Sequence, residues 1–298
     1  MYQYLLKHPE CFPAVLGISK EQFDRVVATV HPILFCVFKT RAIHPGRWRT
    51  AGGGRKRVFG TDASLVLLIL LYYKVYPTFR LAQVLFGLDK MNVWRWVEFM
   101  KPILQQALHH ALVLPIRKVT HMGQLLTVCP DLQEFLVDAT ERRIQRPENT
   151  DIQQFYYSGK KKMHTVKNQI LVNPRTMKIL AVSKTVEGKR HDKKLAEDDG
   201  MLLRAPPGAF GMSDNGYQGG ERINSTIALV YPTRKPKGKA LTSRQKKTNR
   251  TIAQIRVRVE HVFASLKHFN IHAHTYRNTI ASAHTPFVTL AALYNFTR

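Results

Sequence analysis

Residues 135–143 read FLVDATERR, an apolar run that ends in a single carboxylate, Asp138, and is followed by Arg142 and Arg143. Phenylalanine and valine favour strands, so the run predicts a buried strand with Asp138 near its end. An aspartate where a strand becomes a turn is common and is weak evidence on its own. Its meaning depends on whether other carboxylates, distant in the sequence, are placed to meet it.

Further β-type runs follow in the C-terminal half. They are short and separated by turn signals, and they read MHTVKNQILVN, KILAVSKTV, FGMSD and STIALVYP. The segment HDKKLAEDDGML predicts a helix before FGMSD, and IAQIRVRVEHVFASLKHF predicts another after the last run. The pattern predicts a mixed α/β domain over residues 131–298.

Three acids occupy informative positions in this domain. Asp138 ends the first predicted strand, Asp214 ends the fourth before a glycine-rich turn, and Glu260 lies within the last helix. Each alone has a structural explanation, since Glu260 can also pair with Arg256 one helical turn away. Together they suit hard divalent cations, which prefer carboxylate oxygens, and two such ions about 3.5–4 Å apart can promote phosphodiester chemistry. The set predicts a catalytic site for Mg²⁺, with Mn²⁺ as the alternative.

Asp192 has two interpretations. It can assist the metal site, or it can cap the helix predicted at HDKKLAEDDGML. We favour the helix N-cap at that position.

The N-terminal half predicts helices. Residues 1–58 form a helical segment that ends in a glycine-rich basic linker, and residues 59–125 contain the spacing of a helix-turn-helix. Thr61 or Asp62 can cap its first helix, Pro77-Thr78 restarts a short second helix, and Gly87 makes the turn before a third.

In the third helix the apolar spacing predicts that Val93, Val97 and Met100 are buried. Asn92 and Arg95 then face outward, and Lys90 lies at the helix N-terminus, where base edges are usually read. An ordinary helical bundle with a polar face explains the same pattern.

Charge indicates the partner. The chain has 46 Lys and Arg residues against 20 Asp and Glu residues, a formal net charge of +26. This excess favours a polyanion, and nucleic acid is the commonest one. The start of the chain lacks the apolar run of a secretory signal peptide, and the longest apolar run is too short to span a bilayer. We expect a cytoplasmic, nucleoid-associated protein with no membrane partner and no small-molecule substrate.

Basic residues surround the predicted acids. We expect backbone contacts to DNA from residues near the first acid, in YSGKKKMHTVKN and on the last helix: Arg142, Arg143, Lys160, Lys161, Lys162, Lys167, Arg256 and Lys267. A solvated, ion-paired surface is the alternative for each of them.

Together these motifs resemble those of the IS5 family of transposases, within the IS4/IS5 group of DDE transposases. The resemblance rests on VDATERRIQRP, YSGKKKMHTVKN, SDNGYQG and RVRVEHVFASLKHF, and it is collinear over roughly residues 131–298. It implies an RNase H-like, mixed-sheet catalytic domain preceded by the all-α helix-turn-helix region, with Asp138, Asp214 and Glu260 as metal ligands. Ala253 stands where the family usually has tyrosine.

The expected function is DNA transposition. The resemblance implies binding to the terminal inverted repeats of an insertion sequence, cleavage at its ends and attack of the 3′-hydroxyl on target DNA. The partners are double-stranded transposon ends and target DNA, held by a dimer or larger assembly. Two alternatives stay open, a metal-dependent endonuclease without strand transfer and a non-catalytic, sequence-specific DNA-binding protein.

Overall fold

The computed structural model describes residues 1–42, 58–110, 133–205 and 207–298. Most of the predicted basic linker, and the end of the predicted helix-turn-helix region beyond residue 110, lie outside the described residues. The chain divides into two compact units. One draws its residues from Met1–Leu114, His268–Ile271 and Thr297, and the other from Pro115–Lys267, His272–Phe296 and Arg298.

The first unit is helical. Its helices are α1 Tyr2–Lys7, α2 Phe12–Leu16, α3 Lys20–Ala42, α4 Asp62–Val75, α5 Phe79–Phe86 and α6 Lys90–His110. Helix α3, from the predicted N-terminal segment, packs against α4 and α6, from the predicted helix-turn-helix region. No helix in the described parts of the chain has the length and apolarity needed to span a bilayer.

The helix boundaries follow the predicted caps. The Thr61 hydroxyl accepts a hydrogen bond from the Ser64 backbone N–H at 3.2 Å, and the Thr78 hydroxyl accepts one from the Leu81 N–H at 3.2 Å. Both satisfy N–H groups that lack a partner within the helix. Helix α5 ends at Gly87, whose φ of 63° is left-handed and favours glycine. The predicted starts of α4 and α5 and the predicted turn are confirmed.

Helix α6 has the predicted inward face. Val93, Val97 and Met100 are fully buried, whereas Asn92 and Arg95 are exposed. The helix continues past the predicted end near Met100 because Leu104 continues the buried face.

The second unit is built around one sheet. Its strands are β1 Glu134–Arg143, β2 Tyr157–Ser158, β3 Met163–Val172, β4 Ile179–Val182, β5 Val186–Glu187, β6 Phe210–Met212 and β7 Ala228–Val230. After α6 the described residues form the helices α7 Thr150–Tyr156, α8 Asp192–Asp199, α9 Ser243–Lys267, α10 Asn270–Ala273 and α11 His284–Phe296.

The sheet is mixed. Strand β3 pairs antiparallel with β1 on one side and with β2, β4 and β5 on the other, while β1, β6 and β7 run parallel. The predicted mixed α/β class is therefore confirmed. The run KILAVSKTV forms two strands, not one, because Ser183 interrupts it. Its hydroxyl accepts the Gln169 N–H at 2.8 Å, so a side chain replaces a strand carbonyl.

The parallel ladder between β1 and β6 positions the first two predicted acids. It pairs Phe135 with Gly211 and ends where Leu136 pairs with Met212. Asp138 and Asp214 each follow the last paired residue of their own segment by two positions. Both acids therefore lie at the carboxyl ends of neighbouring parallel segments, where the edge of such a sheet opens into a crevice.

Helices cover both faces of this sheet. Phe135 and Val137 pack in a core with residues of α8, of the turns that follow α8 and flank β6, and of β7, namely Ala196, Met201, Leu202, Ala209, Tyr217 and Leu229. Helix α9 packs on β1 and α11 packs on β4. The Asn295 side chain exchanges two hydrogen bonds with the Ile179 backbone, at 2.9 and 2.8 Å.

Gly211→Ala tests the β1–β6 packing. A Cβ atom at Gly211 would lie 2.6 Å from Cε2 of Phe135 and 2.7 Å from Cδ1 of Leu229, so the fully buried Phe135 ring has to shift. We expect a loss of about 1–3 kcal/mol in the free energy of unfolding, measured by urea titration with circular dichroism.

Gly159→Ala is the matched control. Apart from Gly159 itself and its two chain neighbours, no heavy atom of the described residues lies within 4 Å of a Cβ at Gly159. We expect its free energy of unfolding to change by less than about 0.5 kcal/mol. Equal stability of the two variants would contradict the close packing at Gly211.

Candidate active site

Asp138 lies in β1 just beyond the parallel ladder. Its Oδ1 atom accepts a hydrogen bond from the Ala139 backbone N–H at 2.8 Å, and Nη2 of Arg256 lies 3.5 Å from Oδ2. The side chain is only 16% exposed. Burial raises the pKa of Asp138 from 3.8 to about 6, against the opposing effects of the Ala139 hydrogen bond and the Arg256 charge. The negative charges of Asp214 and Asp192 raise this pKa further, so the three aspartates are electrostatic neighbours.

Asp214 occupies the turn after β6. Its Oδ1 atom accepts the Gly216 N–H at 2.8 Å and caps the short helical turn Asn215–Tyr217. Gly216 has no side chain and so leaves a small space beside this carboxylate. A Cβ atom at Gly216 would fill that space, since it would lie only 2.9 Å from Oδ1 of Asp214 and 2.9 Å from Oδ2 of Asp192. Oxygens of two carboxylates from different segments therefore border the same glycine.

Asp192 is the first residue of α8, and the prediction that it caps this helix is wrong. The N-cap is His191, which makes no side-chain capping bond. The Asp192 side chain instead accepts a hydrogen bond at Oδ1 from Nζ of Lys167 at 2.8 Å. This ion pair is largely buried, with the Lys167 side chain 8% and the Asp192 side chain 17% exposed.

Glu260 is exposed on α9. It lines a cavity of about 370 Å³, and Asp214 lines a second cavity of about 450 Å³. The two cavities share part of their walls, formed by Glu141, Lys160, Lys167 and Asp192. The structure therefore brings Asp138 and Asp214 together with Asp192 and places Glu260 on an adjoining cavity.

The carboxylates suit a divalent cation in their chemistry. No three Asp, Glu, His or Cys side chains of the described residues converge closely enough to hold one ion. Mg²⁺ nevertheless often takes only one or two protein carboxylates and completes its shell with water and phosphate oxygens. Asp138 and Asp214, with the space at Gly216, fit that pattern.

Cations converge on the Glu260 cavity. Lys160 and Lys161 line it together with Lys267 of α9. Partial burial lowers the pKa of Lys267, and the positive charge of Lys161 lowers it further. Like charges held this close favour an anion between them. Arg143 and Lys162, which we also predict to contact DNA, are exposed.

Burial corrects the prediction that Arg142 contacts DNA. Its side chain is on the sheet face opposite Val137, because side chains alternate along a strand. Its guanidinium donates to the Ala283 carbonyl oxygen at 3.1 Å and to Oδ1 of Asn168 at 2.6 Å, and it lies over the Phe287 ring. Arg142 is 2% exposed, and burial lowers its pKa to about 10. It is a core residue that joins β1, β3 and the start of α11.

Lys167 and Arg256 also face inward. The Lys167 ammonium donates to the Arg190 carbonyl oxygen at 2.6 Å in addition to Asp192, so burial corrects its prediction as a DNA contact as well. Arg256 lies beside Asp138, one turn of α9 before Glu260. Its charge is directed at an acid of the site, and its contact with DNA stays a prediction.

The predicted base-reading residues lie at the start of α6. Met91 N–H donates to Oδ1 of Asp89 at 2.8 Å, which caps the helix. Asn92 and Arg95 are exposed, and Nη1 of Arg95 lies 3.4 Å from Oδ1 of Asn92. Lys90 is half-buried. Their role in DNA recognition stays a prediction.

Sequence reasoning missed Tyr217 and gave Lys167 a different role. Tyr217, in the SDNGYQGG motif, is fully buried. Burial raises the pKa of its hydroxyl well above the usual value, and the negative charges of Asp192, Asp138 and Asp214 raise it further. Lys167 is missed as an ion-pair partner because it occurs in a lysine-rich stretch that resembles a solvated surface. The position of tyrosine three residues after Asp214 was the available signal for Tyr217.

Comparison with known proteins identifies the second unit. Residues 137–295 match the family model described as "DDE superfamily endonuclease". The chain is 30% identical over 291 residues, 96% of this chain and 93% of the relative, to a "Probable transposase for insertion sequence element IS702" of Microchaete diplosiphon. It is 28% identical over 207 residues to a "Putative transposase for insertion sequence element IS112" of Streptomyces albus G, covering 69% of this chain and 68% of that protein.

Asp138→Asn tests the raised pKa of Asp138. A carboxyl whose pKa is higher in the folded protein than in the unfolded chain binds its proton more tightly when folded. The wild-type protein therefore loses stability as the pH rises from below 3.8 through about 6. The variant has no titrating carboxyl at position 138, so this loss is absent from it. We expect the free energy of unfolding of the variant, relative to wild type, to rise by about 3 kcal/mol between about pH 3 and about pH 7.5.

The measurement is denaturant unfolding of both proteins in metal-free buffer across this range. Glu148→Gln, which removes an exposed acid, is the control and should show no such trend. A constant difference between Asp138→Asn and wild type would mean that Asp138 keeps an ordinary pKa.

Proposed function

The chain belongs to the DDE superfamily of endonucleases and is a transposase, and from this premise we propose that it moves an insertion sequence by cutting DNA at the element's ends and joining the 3′-hydroxyl to target DNA. The observation that carries this proposal is the pair Asp138 and Asp214, two residues beyond the end of one parallel ladder. Arg256 links the pair to the helix that carries Glu260.

We expect Asp138 and Asp214 to hold the divalent cation, with Glu260 as the third carboxylate. Mg²⁺ or Mn²⁺ would supply Lewis-acid activation of the attacking oxygen and charge stabilisation at the leaving oxygen. Glu260 and Arg256 are one turn apart on α9, and Arg256 already contacts Asp138. A change of the Glu260 rotamer would then direct its carboxylate toward the pair.

The chain's own cations hold the substrate. Lys160, Lys161 and Lys267 line the cavity beside Glu260 and are suited to bind phosphates that flank the scissile bond. Arg256 limits the repulsion between Asp138 and its acidic neighbours, so the carboxylates can stay close. Water is the nucleophile in the cut that releases the 3′-hydroxyl, and this hydroxyl is the nucleophile in the joining step, so no protein side chain has to form a covalent intermediate.

Recognition of the terminal inverted repeats falls to the helical unit in this proposal. Helices α5 and α6 are joined by a turn at Gly87, as in a helix-turn-helix, and α6 exposes Asn92 and Arg95 near its start. The net charge of +26 supports a substantial sequence-independent contribution from phosphates.

The finer classification is also a proposal. The sheet has an antiparallel β3–β1 pair followed by the parallel strands β6 and β7, which supports an RNase H-like domain. The motifs around Asp138, Asp214 and Glu260 support placement in the IS5 family. Because two element ends have to be joined, we expect a dimer or larger assembly on DNA, working in the cytoplasm at the nucleoid.

Asp214→Asn tests the reaction. Loss of a metal-binding carboxylate should reduce cleavage and strand transfer by about a thousandfold or more, since such a ligand contributes several kcal/mol to transition-state stabilisation. The substrate is DNA carrying the element's ends, with Mg²⁺ or with EDTA, and salt-dependent DNA binding should be retained.

Glu148→Gln is the control with an exposed acid outside both cavities. Metal-dependent cutting without joining, even on pre-cleaved ends, would favour an endonuclease without strand transfer. Full activity of Asp214→Asn would refute the assignment of Asp214.

Arg95→Ala tests the helix-turn-helix. Removal of a base-reading arginine should weaken binding to the terminal inverted repeats by about 1–3 kcal/mol and leave binding to unrelated DNA nearly unchanged. Competition binding at fixed salt measures both affinities. Lys7→Ala removes an exposed charge from α1 and should change neither. An equal loss on both DNAs would make Arg95 a phosphate contact without base recognition.

A further inference from the structure

We propose that Asp192 binds a divalent cation together with Asp214 at Gly216, beside Asp138, and that Lys167 is the residue that positions Asp192. The inference deepens the proposed function and rests on it. It assigns a role to a residue that lies outside the three acids of the sequence prediction.

The two oxygens of Asp192 have different surroundings. Oδ1 accepts the hydrogen bond from Nζ of Lys167 at 2.8 Å. Oδ2 lies at Gly216, where a Cβ would be 2.9 Å from it and equally far from Oδ1 of Asp214. One oxygen is therefore held by a buried cation, while the other borders the same small space as the carboxylate of the second acid.

Lys167 is fixed well enough to orient Asp192. Its ammonium also donates to the Arg190 carbonyl oxygen at 2.6 Å and lies 4.0 Å from Oε1 of Glu141. Glu141 is itself fixed, because it accepts the Thr165 hydroxyl at 2.7 Å. Carboxylates that bind metals are typically held in this way by a hydrogen bond to one oxygen, which leaves the other directed at the ion.

Tyr217 is an independent observation that indicates a ligand in this space. It is fully buried, and its hydroxyl has no hydrogen-bond partner among the described residues. Burial raises the pKa of this hydroxyl, and the negative charges of Asp192, Asp138 and Asp214 raise it further. An unpaired buried hydroxyl destabilises the folded protein. Mg²⁺ keeps several of its waters, and such a water can donate a hydrogen bond to the Tyr217 oxygen.

A purely structural ion pair is the competing explanation for Asp192. In that case Asp192 serves only to neutralise the buried Lys167 ammonium, and its loss affects folding but not ion binding. The two explanations differ in the affinity for a metal ion, which can be measured without DNA and without catalysis.

The experiment measures Mn²⁺ binding to the full chain by the electron paramagnetic resonance signal of the free ion. Wild type is compared with Asp192→Asn and Asp214→Asn. Glu197→Gln is the matched control, because Glu197 is an acid of the same helix that pairs with Lys194 at 3.7 Å. We expect Asp192→Asn to weaken Mn²⁺ binding by about tenfold or more, as Asp214→Asn does, and Glu197→Gln to bind as wild type does.

Cysteine variants keep the inference testable if Asp192→Asn folds poorly. A thiolate at position 192 should bind the soft ion Cd²⁺ in preference to Mg²⁺. Asp192→Cys should therefore gain thermal stability in Cd²⁺ by several degrees more than wild type and Glu197→Cys, which control for the native cysteines.

The outcomes separate the inference from the proposed function. Wild-type affinity for Mn²⁺ in Asp192→Asn, or no excess Cd²⁺ stabilisation of Asp192→Cys, would overturn the role of Asp192. Absence of Mn²⁺ binding by wild type would overturn the cation site itself. The cleavage and joining assay decides the proposed function separately, since it tests Asp214 on DNA.

Discussion

The short parallel ladder between β1 and β6 is the constraint on which the site depends. It pairs Phe135 with Gly211 and ends with Leu136 and Met212. Phe135 is fully buried against a glycine that has no side chain to displace it, so the two strands pack closely at this point. Asp138 and Asp214 leave the ladder in the same register, and this brings together two acids that are far apart in sequence. A shift of one residue in either strand would turn its side chains to the other face and separate the pair.

Much of this arrangement could be predicted because it depends on local pattern. Apolar runs mark β1, β3 and β6, and threonines at positions 61 and 78 mark helix starts that the structure confirms. The third acid is different. Glu260 is recognisable in sequence by its spacing from Arg256, yet the structure places it on a cavity beside the aspartate pair, because rotamers and packing decide where a long, exposed side chain points. The sequence contains no direct signal for that choice.

Burial explains the other differences. Arg142 follows Asp138 by four residues in one strand and so lies on the same face, but there it meets the Ala283 carbonyl group and the Phe287 ring. Its predicted contact with DNA is wrong because Ala283 and Phe287, at the start of α11, cover that part of the face. Lys167 appears in sequence as one of the four lysines of YSGKKKMHTVKN, and only the fold shows that its partner is Asp192, at the start of α8. Tertiary contacts between segments distant in sequence are absent from local patterns.

The negative charges of Asp138, Asp214 and Asp192 favour a site in which bound ligands supply part of the balancing positive charge. Burial raises the pKa of Asp138 and neighbouring aspartates raise it further, so the ionised cluster is costly without positive charge. The chain supplies part of this charge from Arg256 and Lys167, each paired with one aspartate. These two cations contact Oδ2 of Asp138 and Oδ1 of Asp192, whereas Oδ1 of Asp214 and Oδ2 of Asp192 border the same space at Gly216. A divalent cation placed there would balance the remaining charge, and the phosphates of DNA, drawn to Lys160, Lys161 and Lys267, would complete its coordination. On the function that we propose, substrate and cation would therefore favour each other's binding in this chain of net charge +26, because each compensates a charge that the other leaves unbalanced.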